Sequence, residues 1–255
     1  MINQKNNYDF KRLEVHVVNH CNLNCAACAH FSNICEPFFL DLSQFEKDVF
    51  EITKKIKYEL INILGGEPLL HPQISEFFYS LRNICPDTIL TLTTNGILLP
   101  TMDEKFWQSM SENNVAIRYS FYPKTIKSAK KIVDLIHSNN VKIWDLWDGR
   151  KFYLRKSKEY NSDIDSVWAS CDSKLCHQLY QGKLYMCPIS AYGKFYNKYF
   201  SKEFYVEDGI NIYENSSEQI KSYMQTPAKN CKTCSNVGRT INWCLSEFNE
   251  EEWDV

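Results

Sequence analysis

Short apolar runs and segments of helical period alternate along the first half of this chain. Leu13–Val18 (LEVHVV) reads as a strand, and Ser43–Lys57 as a helix that Ser43 caps and Glu46 closes in a capping box. Glu59–Leu64 (ELINIL) gives a second strand, ended by Gly65-Gly66, and Gln73–Asn83 a second helix with Pro86 beyond its end. Thr88–Thr94 (TILTLTT), rich in β-branched residues, predicts a third strand that stops at Asn95-Gly96. A short helix over Asp103–Glu112, a strand over Val115–Phe121 closed by Pro123, a helix over Ile126–Ser138 and a strand over Val141–Trp147 complete the series.

Strand and helix in this rhythm predict parallel βαβ units and an α/β fold. Five such units either curl into a partial barrel or lie as a doubly wound sheet, and in both the loops at the strand C-termini build the site. Those loops are Asn19–Ser32, Gly65–His71 and Asn95-Gly96. Regularity fades after about residue 150, and from Cys171 onward the chain is rich in cysteine. There His177–Tyr180 and Lys183–Cys187 read as a hairpin about Gln181-Gly182. The division expected is residues 1–165 as the main domain and 166–255 as a small module. The acidic end, Ser246–Val255, reads as solvated and without a role.

Composition narrows the class. Of 255 residues 44% are apolar, enough for a sizeable core. Lys+Arg is 29 and Asp+Glu is 31, a formal charge of −2, which gives no electrostatic reason to expect nucleic acid or an anionic membrane as partner. No apolar run reaches the ~18 residues of a spanning helix, and Met1–Arg12 lacks the apolar core of a signal peptide. The expected location is cytoplasmic. Eleven cysteines then need a reason. An odd number cannot pair fully within one chain, and disulfide frameworks belong to small secreted domains. Clustered cysteines in a reducing compartment bind metal or do redox chemistry, while Cys85 and Cys35, standing alone, suit buried thiols.

Cys21-Asn-Leu-Asn-Cys25-Ala-Ala-Cys28 has the form C-x3-C-x2-C. Structural zinc sites want four protein ligands, in pairs. Cuboidal iron–sulfur clusters usually take four thiolates, so three on one loop leave one iron open. This spacing after the first strand resembles the signature of the radical SAM superfamily, and Gly65-Gly66-Glu67-Pro68 at the end of the second strand resembles that family's GGE-P motif. The resemblance covers roughly residues 13–147. It implies a partial (β/α)6 barrel holding a [4Fe–4S] cluster on Cys21, Cys25 and Cys28, with the fourth iron chelated by the amino and carboxylate groups of S-adenosylmethionine. It further implies that an electron donor such as flavodoxin or ferredoxin reduces the cluster. Cleavage of the sulfonium then gives a 5′-deoxyadenosyl radical that removes hydrogen from an unactivated C–H bond. On the same resemblance, Gly65 and Gly66 let backbone approach the methionine end of the cofactor, and Glu67 contacts its amino group. Asn95 and Ser120 are candidates for its ribose or carboxylate. The family often places an aromatic residue before the third cysteine, near the adenine. Here that residue is Ala27, and His30 or Phe31 is the expected substitute.

A second set follows: Cys171, Cys176 and Cys187, then Cys231-Lys-Thr-Cys234, then Cys244. C-x10-G from Cys171 to Gly182, G-x4-C to Cys187 and a later C-x2-C resemble the twitch and SPASM modules of radical SAM enzymes, which carry auxiliary [4Fe–4S] clusters. One auxiliary cluster fits the count. Its four ligands come from Cys171, Cys176, Cys187, Cys231 and Cys234, with Cys244 in reserve; a zinc site from the same thiolates is the alternative.

In size and layout the chain resembles twitch-type aminocyclitol dehydrogenases and aminoglycoside epimerases. That implies a small-molecule substrate of carbohydrate type: a sugar, aminosugar or cyclitol. For dehydrogenation, Trp144, Asp145, Trp147, Asp148 and Arg150 cluster at the end of the fifth strand, to stack on a sugar face, bind hydroxyls and help a proton leave, with Asp148 and Arg150 as the catalytic candidates. For epimerisation, Cys244 is the candidate hydrogen donor and Cys35 the second. Two other classes stay open: a maturase that modifies a ribosomally made peptide, for which the ~12 residues before the first strand are short of a peptide-binding domain, and a zinc module without SAM chemistry.

Overall fold

The computed structural model describes residues 8–255; the first seven residues of the polar N-terminal stretch lie outside it. Five parallel strands open the fold: β1 (Phe10–Val18), β2 (Tyr58–Gly65), β3 (Ile89–Thr94), β4 (Val115–Phe121) and β5 (Ile143–Asp148). Four helices link them in turn: α1 (Leu42–Lys55), α2 (Ile74–Ile84), α3 (Glu104–Glu112) and α4 (Ala129–Ser138). Neighbours in sequence are neighbours in the sheet, in the order β5-β4-β3-β2-β1. With no reversal of strand order, right-handed crossovers put every helix on one face, and a sheet covered on one face curls into a partial barrel rather than a doubly wound layer. The α/β partial barrel is therefore the fold of this half.

β1 to β4 are buried on both faces, as parallel strands are, while the edge strand β5 is largely exposed. Leu13, Val15, Val17, Ile61, Ile63, Leu90, Leu92 and Ile117 pack against Phe45, Val49 and Ile52 of α1, Phe77 and Phe78 of α2, Phe106 of α3 and Ile136 of α4. The alternating positions turn the other way and are polar: Glu14 and His16 on β1, Asn62 on β2, Thr91 on β3. Register follows, with Leu13 opposite Ile61 and Val15 opposite Ile63.

Element boundaries differ from the sequence expectation at the first helix, where a different residue caps. Asp41, not Ser43, caps α1: its carboxylate accepts the Gln44 N–H at 3.1 Å and the Ser43 hydroxyl at 2.6 Å. Glu46 accepts from Ser80 of α2, so no capping box forms. Aspartate and serine cap about equally well, and the one two residues earlier wins. The segment read as one helix over 126–138 begins as a 3-10 turn, Ile126–Ser128, before α4.

After β5 come β6 (Lys151–Lys156), α5 (Ile164–Ser170), β7 (His177–Tyr180), β8 (Lys183–Tyr185), α6 (Pro188–Phe200), β9 (Ile210–Asn211), α7 (Ser217–Tyr223) and β10 (Cys234–Asn242). The β7–β8 hairpin turns on Gln181 (φ 50°) and Gly182 (φ 71°), two consecutive left-handed residues as a tight hairpin turn requires. β7 joins the main sheet parallel to β1, Leu13 opposite His177, and so supplies a sixth parallel strand on the far side of β1. β6 and β10 form a separate antiparallel ribbon.

The end of the chain is not a solvated tail. Glu250–Trp253 is a 3-10 turn, Trp253 is 4% exposed, and Asp254 pairs with the buried Lys156. Acidic composition predicted solvation, but one indole's apolar area outweighs the charged neighbours that stay in water. Trp253 joins a second, aromatic core with Ala27, Phe31 and Ile34 of the cysteine loop, Tyr192 and Tyr196 of α6, and Leu154 of β6.

Candidate active site

The loop after β1 holds Cys21, Cys25 and Cys28, and all three line one cavity of about 390 Å³ at the C-terminal ends of the strands. Gly65, Gly66, Thr94, Asn95, Ser120 and His30 line it too. Opposite stands an aromatic wall of Tyr122, Trp147, Phe152 and Tyr153.

Burial fixes the chemistry of the loop thiols. It pushes Cys25 up to about 12 and raises Cys21 and Cys28 as well; repulsion from Cys28 and Cys25 adds to Cys21, and repulsion from Cys28 adds to Cys25. Three ionised thiolates in this cavity therefore need positive charge among them, which bound iron supplies. Among the described residues no three such side chains close on a single metal ion. A cuboidal cluster, which spaces its thiolates around a larger body, is the group that this donor set fits.

The two glycines have a reason visible in the backbone. A Cβ on Gly65 would sit 2.4 Å from the Val18 carbonyl oxygen, and one on Gly66 2.2 Å from that of His20. Gly66 N–H donates to the Val18 carbonyl at 2.7 Å and Glu67 N–H to the His20 carbonyl at 3.1 Å. The glycines thus let the end of β2 lie directly against the start of the cysteine loop. Glu67 is fully buried and does not line the cavity. Its carboxylate accepts from Leu69 N–H (3.1 Å), the Thr94 hydroxyl (2.7 Å) and Asn95 N–H (2.9 Å), tying β2 to the end of β3. Burial raises its carboxyl to about 7. Asn95 in turn donates to Asn22 Oδ1 at 2.7 Å, beside Cys21.

His30 faces the cavity, and the buried ring of His16 stacks on it with centroids 5.4 Å apart; burial lowers both imidazoles and keeps them neutral. Phe31 points away from the cavity and stacks on Trp253 at 5.7 Å. Asp148 and Arg150 pair with each other in the exposed turn between β5 and β6 and do not line the cavity. Trp144 is exposed, and Asp145 pairs with Arg118 at 2.9 Å.

The later cysteines divide. Cys171 ends α5, Cys187 precedes α6, Cys231 lies in the 3-10 turn Lys229–Thr233, and Cys234 begins β10. These four are near enough to repel one another when ionised: Cys187 feels Cys234 and Cys171, and Cys231 feels Cys171. Burial and this repulsion push Cys231 up to about 11 and Cys234 up to about 12. Cys176 turns elsewhere, its sulfur accepting from the Arg12 guanidinium next to Glu14. Cys244 lies beside the first group instead of the second: its carbonyl accepts Ala26 N–H at 3.0 Å, and its charge is felt by Cys25.

No motif marks Tyr122, Phe152, Tyr153 and Trp243 as site residues. The signal available was positional: Tyr122 follows β4 directly, and an aromatic pair follows the turn at Gly149.

Residues 15–145 match the family described as Radical SAM superfamily. The match spans half of the chain, and with the three-thiol loop at the mouth of a partial barrel it defines the class: the chain belongs to the radical SAM superfamily, whose members use S-adenosylmethionine and a [4Fe–4S] cluster. Among curated proteins it is 31% identical over 94 residues to the GTP 3′,8-cyclase of Alkaliphilus oremlandii (strain OhILAs), covering 36% of this chain and 29% of that one. It is 37% identical over 93 residues to the GTP 3′,8-cyclase of Geobacter sulfurreducens (strain ATCC 51573 / DSM 12127 / PCA), covering 35% and 28%. The chain thus spans less than a third of the length of these two relatives. Among solved structures, BtrN in complex with AdoMet and 2-DOIA matches 89% of this chain and 94% of its own at a TM-score of 0.55 and 16% identity, a likeness of fold.

Proposed function

We propose that this chain is a radical SAM oxidoreductase that dehydrogenates a small sugar, aminosugar or cyclitol and passes the second electron to an auxiliary [4Fe–4S] cluster on Cys171, Cys187, Cys231 and Cys234. The convergence of those four thiols, apart from the three-thiol loop, carries the reading. When bound, cluster and S-adenosylmethionine supply a 5′-deoxyadenosyl radical that takes one hydrogen atom from the substrate. A second electron must then leave, and an auxiliary cluster is an acceptor for it.

The chain's own residues have narrower tasks. The barrel's inner face carries Asn62 bonded to Thr91 and Thr93, Arg118 paired with Asp145, and Gln178 bonded to Glu14. Such a surface suits hydroxyl and amino groups. Trp147 and Phe152, centroids 5.7 Å apart, offer flat faces for the C–H side of a ring. Asp148, next to the cavity-lining Trp147, and its partner Arg150 are proposed to help the hydroxyl proton leave. Among the described residues the only cysteines lining the cavity are those of the first loop, which favours oxidation over epimerisation by a thiol donor such as Cys244 or Cys35. The likeness of fold to BtrN, solved with AdoMet and 2-DOIA, agrees with a cyclitol-sized substrate.

The test is anaerobic reconstitution followed by incubation with dithionite, S-adenosylmethionine and a panel of aminocyclitols, sugars and short peptides. One 5′-deoxyadenosine per ketone product supports the reading. Turnover confined to peptides, or an epimer one mass unit heavier in D2O with deuterium at the inverted centre, would overturn it.

A further inference from the structure

We propose that Trp243 sets the reduction potential of the cluster held by Cys21, Cys25 and Cys28. Its indole Nε1–H donates to Cys25 Sγ at 3.0 Å, close for a sulfur acceptor. The contact is fixed by the backbone around it. Trp243 N–H donates to the Arg150 carbonyl at 2.9 Å, Ala26 N–H to the Cys244 carbonyl at 3.0 Å, and Ser246 N–H to the Asn24 carbonyl at 2.9 Å. Residues 243–246 therefore run along the cysteine loop as a strap, with Cys25 and Leu245 bridged antiparallel. The ring also packs on Tyr122 of the aromatic wall, centroids 6.0 Å apart.

An indole has one donor and no acceptor, and here that donor is aimed at a ligand sulfur. An N–H···S bond draws electron density from the thiolate. The one-electron-reduced cluster carries one more negative charge than the oxidised one, so the bond stabilises the reduced form more and raises the potential. Cys21 receives Leu23 N–H at 3.3 Å and, at a longer 3.8 Å, the Asn95 side-chain amide, whose shorter bond goes to Asn22 at 2.7 Å, so Trp243 is the closer side-chain donor to a loop thiol. Trp243 is thus a side-chain control on how readily the cluster accepts the electron that starts catalysis. The inference rests on the loop cluster alone and stands whatever the substrate proves to be.

The experiment is an EPR-monitored redox titration of the reconstituted full chain, following the signal that changes on adding S-adenosylmethionine. Trp243→Phe keeps the packing on Tyr122 and removes the donor, so its midpoint moves to more negative potential and a smaller fraction is reduced at fixed dithionite. Trp243→His restores an N–H and moves the midpoint back toward wild type. An unchanged midpoint in Trp243→Phe with full iron content overturns the proposal. Should that variant bind no cluster, the wild-type protein decides: with tryptophan labelled at the indole nitrogen with ¹⁵N, pulsed EPR of the reduced cluster shows coupling to that nitrogen, and its absence overturns the proposal.

Discussion

Individual residues in this protein are held by contacts that a single atom can upset. Gly66 is the clearest, because a methyl there would meet the His20 carbonyl, and backbone cannot step aside as a flexible side chain can. Gly66→Ala is expected to lose about 2–4 kcal/mol of stability and most of the loop iron, read by thermal denaturation and iron assay. His177 gives a pH signature. Burial holds its ring at about 4 against an ordinary 6.5, and it contacts the Tyr58 hydroxyl at 3.3 Å. Between pH 6.5 and 4 the unfolded chain takes up a proton that the folded chain refuses. Stability is therefore complete above pH 6.5 and falls as pH drops through that window, by about 3 kcal/mol at most. His177→Gln is expected to flatten that slope in urea unfolding measured from pH 7 to pH 4.

Elements differ in how far the sequence announced them. β4 was legible to the residue, because a run of apolar and β-branched positions ends at Tyr122-Pro123. α6 was not, although Pro188 marks its first turn, because thirteen residues rich in tyrosine and phenylalanine lack a clear apolar stripe. The cysteine motifs stood out by spacing, but which of the thiols lie near one another did not, since it depends on which elements meet. Here the structure makes a sharp distinction. Cys171→Ser, Cys187→Ser, Cys231→Ser or Cys234→Ser is expected to lower iron from about eight to about four per chain, whereas Cys176→Ser leaves it unchanged. Iron quantitation with Mössbauer spectroscopy separates the two outcomes. Loss of iron in Cys176→Ser would show that the Arg12 contact yields to the cluster.

At the scale of the whole molecule two cores meet at the cysteine loop. The larger core lies between the sheet and α1–α4; the smaller, mostly aromatic one joins the loop to β6, α6 and Trp253. Trp253 fills that second core and also donates its indole N–H to the Cys28 carbonyl at 3.0 Å. Trp253→Ala is expected to cost about 3–5 kcal/mol and to speed the loss of loop iron on exposure to air, whereas Tyr199→Ala on the exposed side of α6 does neither. Urea unfolding and the decay of visible absorbance check the two effects separately.

The strap has a consequence in time. Trp243 acts on Cys25 across 218 positions of sequence, and Trp253 on Cys28 across 225. During synthesis the N-terminal part emerges first. The thiols of the loop are thus exposed to the cell before the residues that hold their backbone exist. Durable metallation becomes one of the last acts of assembly, and a chain cut off before residue 243 lacks the two indoles that hold the cysteine loop.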